Sequence, residues 1–387
     1  MKKIKTKVMG LMLFCTLFFA CQDKENPGNA VVLEINAENA IHAKLNEVAT
    51  DIEVIELDIP KGIELGRLYH IKSRGGYLFL HDRFNNRTIS IFKEDGSYVG
   101  QLDKTGRGPG EYLGLDHFAI NPEEDQLIVY ERQRGFYFYS LPDFEFLNFE
   151  EERRYFNNIE FAGSRKLLTV TESFKRLNHK NGIGLIDLVT SEYAKLSLRD
   201  ATTTQIDLSF PNTFTYGPNG NLIYAFPGYI TNVFEINLMK ANHIFSIDFG
   251  KNKIPEDAWL LEDNDEFERA VILSNTPKAL WVQHFLFNEE SAAFFYPFKN
   301  PNYTYLAVCD LSENDCTAYS GILLADGFST IPPPMGVTGS YFLSVIYPEM
   351  SDEVLTHAPD SDYPKWQHMY NLLVQKNRPF LLKYKLI

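Results

Sequence analysis

The feature that most restricts what this chain can fold into is one pattern written six times. A short apolar strand is followed by a polar or glycine-bearing loop, then by a second apolar strand that ends in a turn. The copies run over Tyr77–Phe92, Leu127–Tyr139, Leu167–Leu188, Leu222–Leu238, Ala293–Asp310 and Phe342–Leu386. Their starts are spaced by roughly 40 to 70 residues, a range in which a period marks blades, solenoids or arrays. Each copy reads as the two middle strands of a four-stranded sheet, and most are followed by a further strand such as Tyr98–Leu102 or His243–Phe249. Repeated radially, such sheets predict an all-β, six-bladed β-propeller.

The ends of the chain predict how the ring closes. The last copy stops at Ile387, directly after its third strand, so a fourth is missing. Upstream of the first copy, Ile52–Asp58 (IEVIELD) has the apolar alternation of a half-buried strand. An N-terminal strand completing the last blade would leave no open edge there. Two short helical insertions break the β pattern. In Pro255–Ser274, proline and acids come early, and Leu260, Phe267 and Val271 share a helical face. In Asp362–Gln375, Trp366, Met369, Tyr370 and Leu373 fall at i, i+3, i+4 and i+7.

The N-terminus carries an export signal. Lys2, Lys3, Lys5 and Lys7 precede an apolar run, Val8–Ala20, that is short for a membrane span. It ends at Ala20–Cys21, which resembles a bacterial lipobox with Cys21 as the lipidated first residue. A plain secretory peptide cleaved elsewhere is the alternative. The expected division is residues 1–20 as lipoprotein signal peptide, 21–50 as tether and N-terminal lead-in, and 51–387 as propeller. Cys309 and Cys316 flank the turn DLSEND and read either as a disulfide across a hairpin or as two small buried residues.

The segment Ile89–Tyr112, ISIFKEDGSYVGQLDKTGRGPGEY, joins a strand pair through an Asp-Gly turn and leads into a Gly-Arg-Gly-Pro-Gly-Glu-Tyr connector. With the lipobox and the terminal strand Pro379–Ile387, it resembles the six-bladed β-propeller lipoproteins of Bacteroidetes, which share architecture with NHL-type and TolB-type propellers. The resemblance implies the same fold and an outer-membrane anchor, facing the periplasm or the cell surface. It implies no particular activity, because most members of that family have none assigned.

Charge limits the partners. The formal net charge is −14, and about −18 without the four N-terminal lysines. Bulk binding to nucleic acid is excluded on that balance, since phosphate neutralisation needs clustered Lys and Arg. The membrane is reached through the lipid anchor only. Arginines nevertheless concentrate in loops expected at one end of the ring: Arg83, Arg87, Arg107, Arg132 and Arg134, joined by Lys175, Arg176 and Lys180. Such a mouth would draw an anion, because guanidinium matches carboxylate, sulfate or phosphate. Arg83, Arg107, Glu111, Tyr112, Arg132 and Arg134 are the candidate ligand-binding residues, and Trp259 and Trp366 are candidate flat surfaces for sugar rings. The plainer alternative pairs these arginines with Asp82, Glu111 and Glu131 and makes the Gly106–Tyr112 connector a rigid elbow.

No linear motif of catalysis is present: there is no HExxH, CxxC, GxSxG, Walker A or EF-hand pattern, and the nine histidines are scattered. No cofactor and no metal are expected. The function that follows is a non-catalytic binding or interaction module of the cell envelope, for an anionic ligand such as an acidic glycan or small molecule. The alternatives are a hydrolase or lyase whose residues converge in the central channel, and a structural partner of an envelope protein.

Overall fold

The computed structural model describes residues 30–132, 134–171, 182–196, 214–217, 222–225, 232–238, 240–254, 278–279, 282–323, 331–351 and 364–387. The chain enters through three strands whose partners come later: β1 (Val31–Glu34), β2 (Ile41–Lys44) and β3 (Ala49–Glu56). Six blades follow. The first is β4 (His70–Arg74), β5 (Tyr77–Asp82), β6 (Thr88–Lys93) and β7 (Tyr98–Leu102). The second is β8 (His117–Ile120), β9 (Gln126–Glu131), β10 (Gly135–Ser140) and β11 (Phe146–Glu151). The third is β12 (Phe156–Phe161), β13 (Lys166–Thr171), β14 (Gly182–Asp187) and β15 (Tyr193–Leu196). The fourth is β16 (Phe214–Tyr216), β17 (Leu222–Ala225), β18 (Asn232–Asn237) and β19 (Lys240–Asp248). The fifth is β20 (Gln283–Phe287), β21 (Ser291–Phe298), β22 (Asn300–Asp310) and β23 (Asp315–Leu323). The sixth is β24 (Gly336–Thr338), β25 (Tyr341–Ile346), β26 (Phe380–Leu386) and β3.

Side chains on a strand alternate between faces, and here the inner part of each sheet is buried on both faces, while outermost strands such as β11 are exposed. Leu78, Leu80 and Phe92 of the first blade pack against Leu343, Val345 and Leu381 of the sixth. The intervening Phe79, Ile89 and Ile91 pack against Phe118, Ile120 and Val129 of the second. Four more apolar layers join blades two to three, three to four, four to five, and five to six. This explains why the repeats read as near-continuous apolar runs. An outward polar face would have given strict alternation.

The ring closes as the ends of the sequence predict. β3 pairs antiparallel with β26, from Ala49↔Leu386 to Glu56↔Phe380. It begins three residues before the predicted Ile52 and ends two before Asp58, because its register follows β26. Inner strands of the sixth and first blades also meet: the Ile71 amide donates to the Met335 carbonyl at 3.1 Å, and the Leu68 amide donates to Tyr347 Oη at 2.7 Å.

The lead-in is more than a tether. β1 adds in parallel to β19 at the outer edge of the fourth blade, and β2 adds in parallel to β23 at the outer edge of the fifth. Exposed sheet edges present unpaired amides and carbonyls, and these two strands satisfy them before the chain enters the sixth blade. Of the predicted helices, the second is present as an α-helix over Pro364–Tyr370 that continues as a π-turn over Asn371–Gln375. It buries Met369, Leu372 and Leu373 in the layer between blades five and six. The first, over 255–274, lies outside the described residues. Cys309 and Cys316 stand directly opposite each other on β22 and β23, and their sulfurs are bonded. Among the described residues no helix is long and apolar enough to cross a membrane.

Candidate functional site

The inner strands β4, β8, β12, β16, β20 and β24 surround the axis. One end of the ring, here the upper, carries the loops between second and third strands and the connections between blades. The lower end carries the turns between first and second strands.

At the upper end the structure brings Arg83, Asp116 and Arg132 together between blades one and two. Arg83 sits on the loop after β5, and its guanidinium lies 4.8 Å from the Tyr69 ring centre and 5.2 Å from that of Phe84. Asp116, immediately before β8, accepts from Arg83 Nη2 at 3.1 Å through one oxygen. Its other oxygen accepts from the Arg132 backbone amide at 2.9 Å. Phe84 is 67% exposed, so its ring presents a face to solvent beside that guanidinium. Arg134 reaches Glu131 at 3.5 Å, and Glu131 also accepts from Tyr137 Oη at 3.0 Å. Arg87 is exposed and donates to the Leu113 carbonyl at 3.1 Å.

The connector occupies a different place. Gly110 has φ +73°, and a Cβ there would meet the Phe146 ring on β11, the outermost strand of the second blade. Tyr139 Oη donates to the Gly110 carbonyl at 2.8 Å. Glu111 accepts from the Gly108 amide at 2.7 Å and thereby fixes the turn. Tyr112 is fully buried and its hydroxyl donates to the Arg87 carbonyl at 3.0 Å. The elbow therefore lies over the outer half of the interface, with Arg107 exposed on it. Tyr112 is a core residue: its ring packs between the first two blades and offers no surface to a ligand. Lys175, Arg176, Lys180 and Trp259 lie outside the described residues, and Trp366 falls on the helix Pro364–Tyr370.

Beneath Arg83 is a buried histidine cluster. His81 Nε2 faces the Leu115 carbonyl at 3.2 Å and so donates. That leaves the lone pair of a neutral His81 on Nδ1, which accepts from His70 Nδ1 at 3.3 Å. Neither ring nitrogen of His117 has a hydrogen-bond partner. Burial holds all three imidazoles well below their usual range, His81 to about 3; His70 is lowered further by His81, and His117 by Arg83. Among the described residues, no three of His, Cys, Asp and Glu are grouped to hold a metal ion.

At the lower end, all six inner strands line a cavity of about 230 Å³. Lys72 Nζ pairs with Glu160 Oε2 at 2.6 Å and donates to the Phe118 carbonyl at 2.7 Å. Tyr216 Oη donates to Glu160 Oε1 at 3.1 Å, and Arg74 lies 4.9 Å over the Tyr216 ring. Sequence reasoning missed these residues, because the innermost strands are short. The available signal was a charge inside an apolar strand, Lys72 in HIKSR and Glu160 in FNNIEF.

A family model described as "Domain of unknown function (DUF4934)" matches residues 30–378. The chain belongs to the DUF4934 family. Among solved structures, this DUF4934 chain is similar to a "Putative exported protein" of Bacteroides fragilis NCTC 9343. The TM-score is 0.73 at 14% identity, over 92% of this chain and 99% of that one. That likeness supports the six-bladed fold. Kuenenia stuttgartiensis hydrazine synthase (TM-score 0.40, 10% identity, 84% of this chain and 90% of that one) and the WD40 repeats of RRP9 (0.42, 10%, 88% and 99%) are too distant to bear on it. No curated protein matches the DUF4934 chain.

Proposed function

We propose that this DUF4934 protein is exported, anchored to the outer membrane through lipid on Cys21, and acts there as a non-catalytic binding module for an acidic glycan. Export is supported by the basic and apolar N-terminus and by the designation of the similar Bacteroides fragilis protein. Metabolic labelling with a fatty-acid analogue, present on the full chain and absent from Cys21→Ala, tests the anchor.

The observation that carries the ligand class is Arg83. Its guanidinium is held by Asp116 against the edge-to-face pair of Tyr69 and Phe84, with the exposed Phe84 ring at its side. A fixed guanidinium beside an exposed aromatic face suits a sugar acid, its carboxylate on the cation and its C–H face on the ring. The acids around it serve other donors as well: Asp82 accepts from the Asn85 and Asn86 amides, Asp116 from the Arg132 amide, and Glu131 from Tyr137. Arg132 and Arg134, on the corresponding loop of the second blade, would extend the surface.

Calorimetry with the full chain in detergent, using oligogalacturonate and heparan sulfate fragments against neutral oligosaccharides, tests the reading. An acidic fragment binds, and Arg83→Ala weakens it about tenfold or more, the scale of one charge-assisted hydrogen bond. Arg165→Ala, exposed on the turn between β12 and β13 at the lower end, leaves affinity unchanged. Absence of any acidic ligand, or equal effects of the two substitutions, overturns it.

A further inference from the structure

We propose that the lower cavity is a second binding site, independent of the arginine mouth, for the carboxylate of a small acid. The argument is a count of spent and unspent hydrogen-bonding capacity. The side-chain acceptors of Glu160, Asn288 and Thr338 are engaged. Glu160 accepts from Lys72 on Oε2, and from Tyr216 and the Phe161 amide on Oε1. Asn288 Oδ1 accepts the Glu290 and Ser291 amides. Thr338 Oγ1 accepts from Ser73 and donates to Glu94.

The donors are not used up. Lys72 has three N–H groups and spends two, on Phe118 and Glu160. Asn288 Nδ2 spends one of two, on the Ser340 carbonyl. Arg74 lies over Tyr216 and donates to its hydroxyl, its Nε stands 3.5 Å from Glu124 without forming a hydrogen bond, and the guanidinium's five N–H groups are not all spent. Lys72, Arg74 and Asn288 all line the same cavity. A partly open cavity whose leftover polar groups are donors, two of them on ion-paired cationic side chains, is complementary to an anion. A carboxylate across Arg74 and Lys72 would use them. The cavity is smaller than the usual pocket for drug-sized molecules, so what it holds inside is a monosaccharide acid or something smaller.

Two sources share this chemistry, a uronic acid and a simple hydroxy acid, and glucuronate and glycolate represent them. Titration of the full chain at millimolar concentrations, followed by calorimetry or ligand-observed NMR, should show glucuronate binding and no binding of glucose. Glycolate binding as well would make the carboxylate sufficient; glucuronate alone would make the ring necessary too. Arg74→Gln should weaken binding about tenfold or more. Glu124→Gln, which releases Arg74 from its ion pair, should strengthen it. Lys72→Met leaves a buried carboxylate unpaired, so Lys72→Met with Glu160→Gln is the second variant, expected to lose binding while remaining folded. In Arg83→Ala the Arg74-dependent component of glucuronate binding should remain, which separates failure here from failure of the mouth. No binding of either acid, or wild-type affinity in Arg74→Gln, overturns the proposal.

Discussion

Ile55 stands opposite Leu381 in the ladder that joins the entering strand β3 to the last strand of the chain. Both are buried against Leu78, Leu80 and Phe92 of the first blade, so the same contact completes one sheet and seals the ring. Leu381→Ala should cost about 3 kcal/mol in urea unfolding, the usual loss for a large side chain truncated in a core. Val32→Ala, on the exposed face of β1, should cost under about 0.5 kcal/mol.

Gly336 tests the inner edge of the same closure. A Cβ at this position would lie 2.6 Å from the Ile71 carbonyl oxygen on the first blade. The backbone must move to admit it, so Gly336→Ala should destabilise by about 1 to 3 kcal/mol, visible as a lower melting temperature. Gly339→Ala meets no atom but has φ +53°, and should act through backbone strain alone, by about 1 kcal/mol.

The Cys309–Cys316 bond closes a short loop within one hairpin. Loop-closure entropy for so few residues is worth about 2 to 2.5 kcal/mol. The double substitution to Ser should lower stability by about that amount in oxidising buffer. Reductant should lower the parent's stability and leave the double variant unchanged.

Stability should fall below neutral pH through the histidine cluster. Unfolded imidazoles titrate near 6.5, whereas burial holds His70, His81 and His117 lower, and His284 at about 4. Below about pH 6.5 the unfolded chain takes up protons that the folded one refuses. Stability from this source is complete above that pH and declines beneath it, by up to about 1.4 kcal/mol per pH unit for each imidazole. His117→Phe should flatten the slope between about pH 6.5 and 4.5 in urea titrations. Its ring nitrogens have no partner to lose.

The ring was legible because the inner part of each sheet is buried on both faces, which writes each repeat as a dense apolar block. Closure was legible because β26 ended without a fourth strand while IEVIELD had no blade of its own. β1 and β2 were not legible, since Val31–Glu34 and Ile41–Lys44 are short and their parallel partners lie far along the chain. Loop placement located Arg83 and Arg132 near one another but put the elbow of Arg107 and Tyr112 at the mouth. The tertiary fact that moves it outward is the contact of Gly110 with Phe146. Lys72 and Arg74, Glu160, and Tyr216 come from inner strands of three different blades, and no linear spacing relates them.

Hydrogen–deuterium exchange of the full chain, with and without a saturating acidic oligosaccharide, tests the binding account most directly. The account predicts protection concentrated at residues 82–87, 113–117 and 131–135, and loss of that protection in Arg83→Ala. Protection confined to the outer strands, or none at any site under saturating ligand, would contradict it.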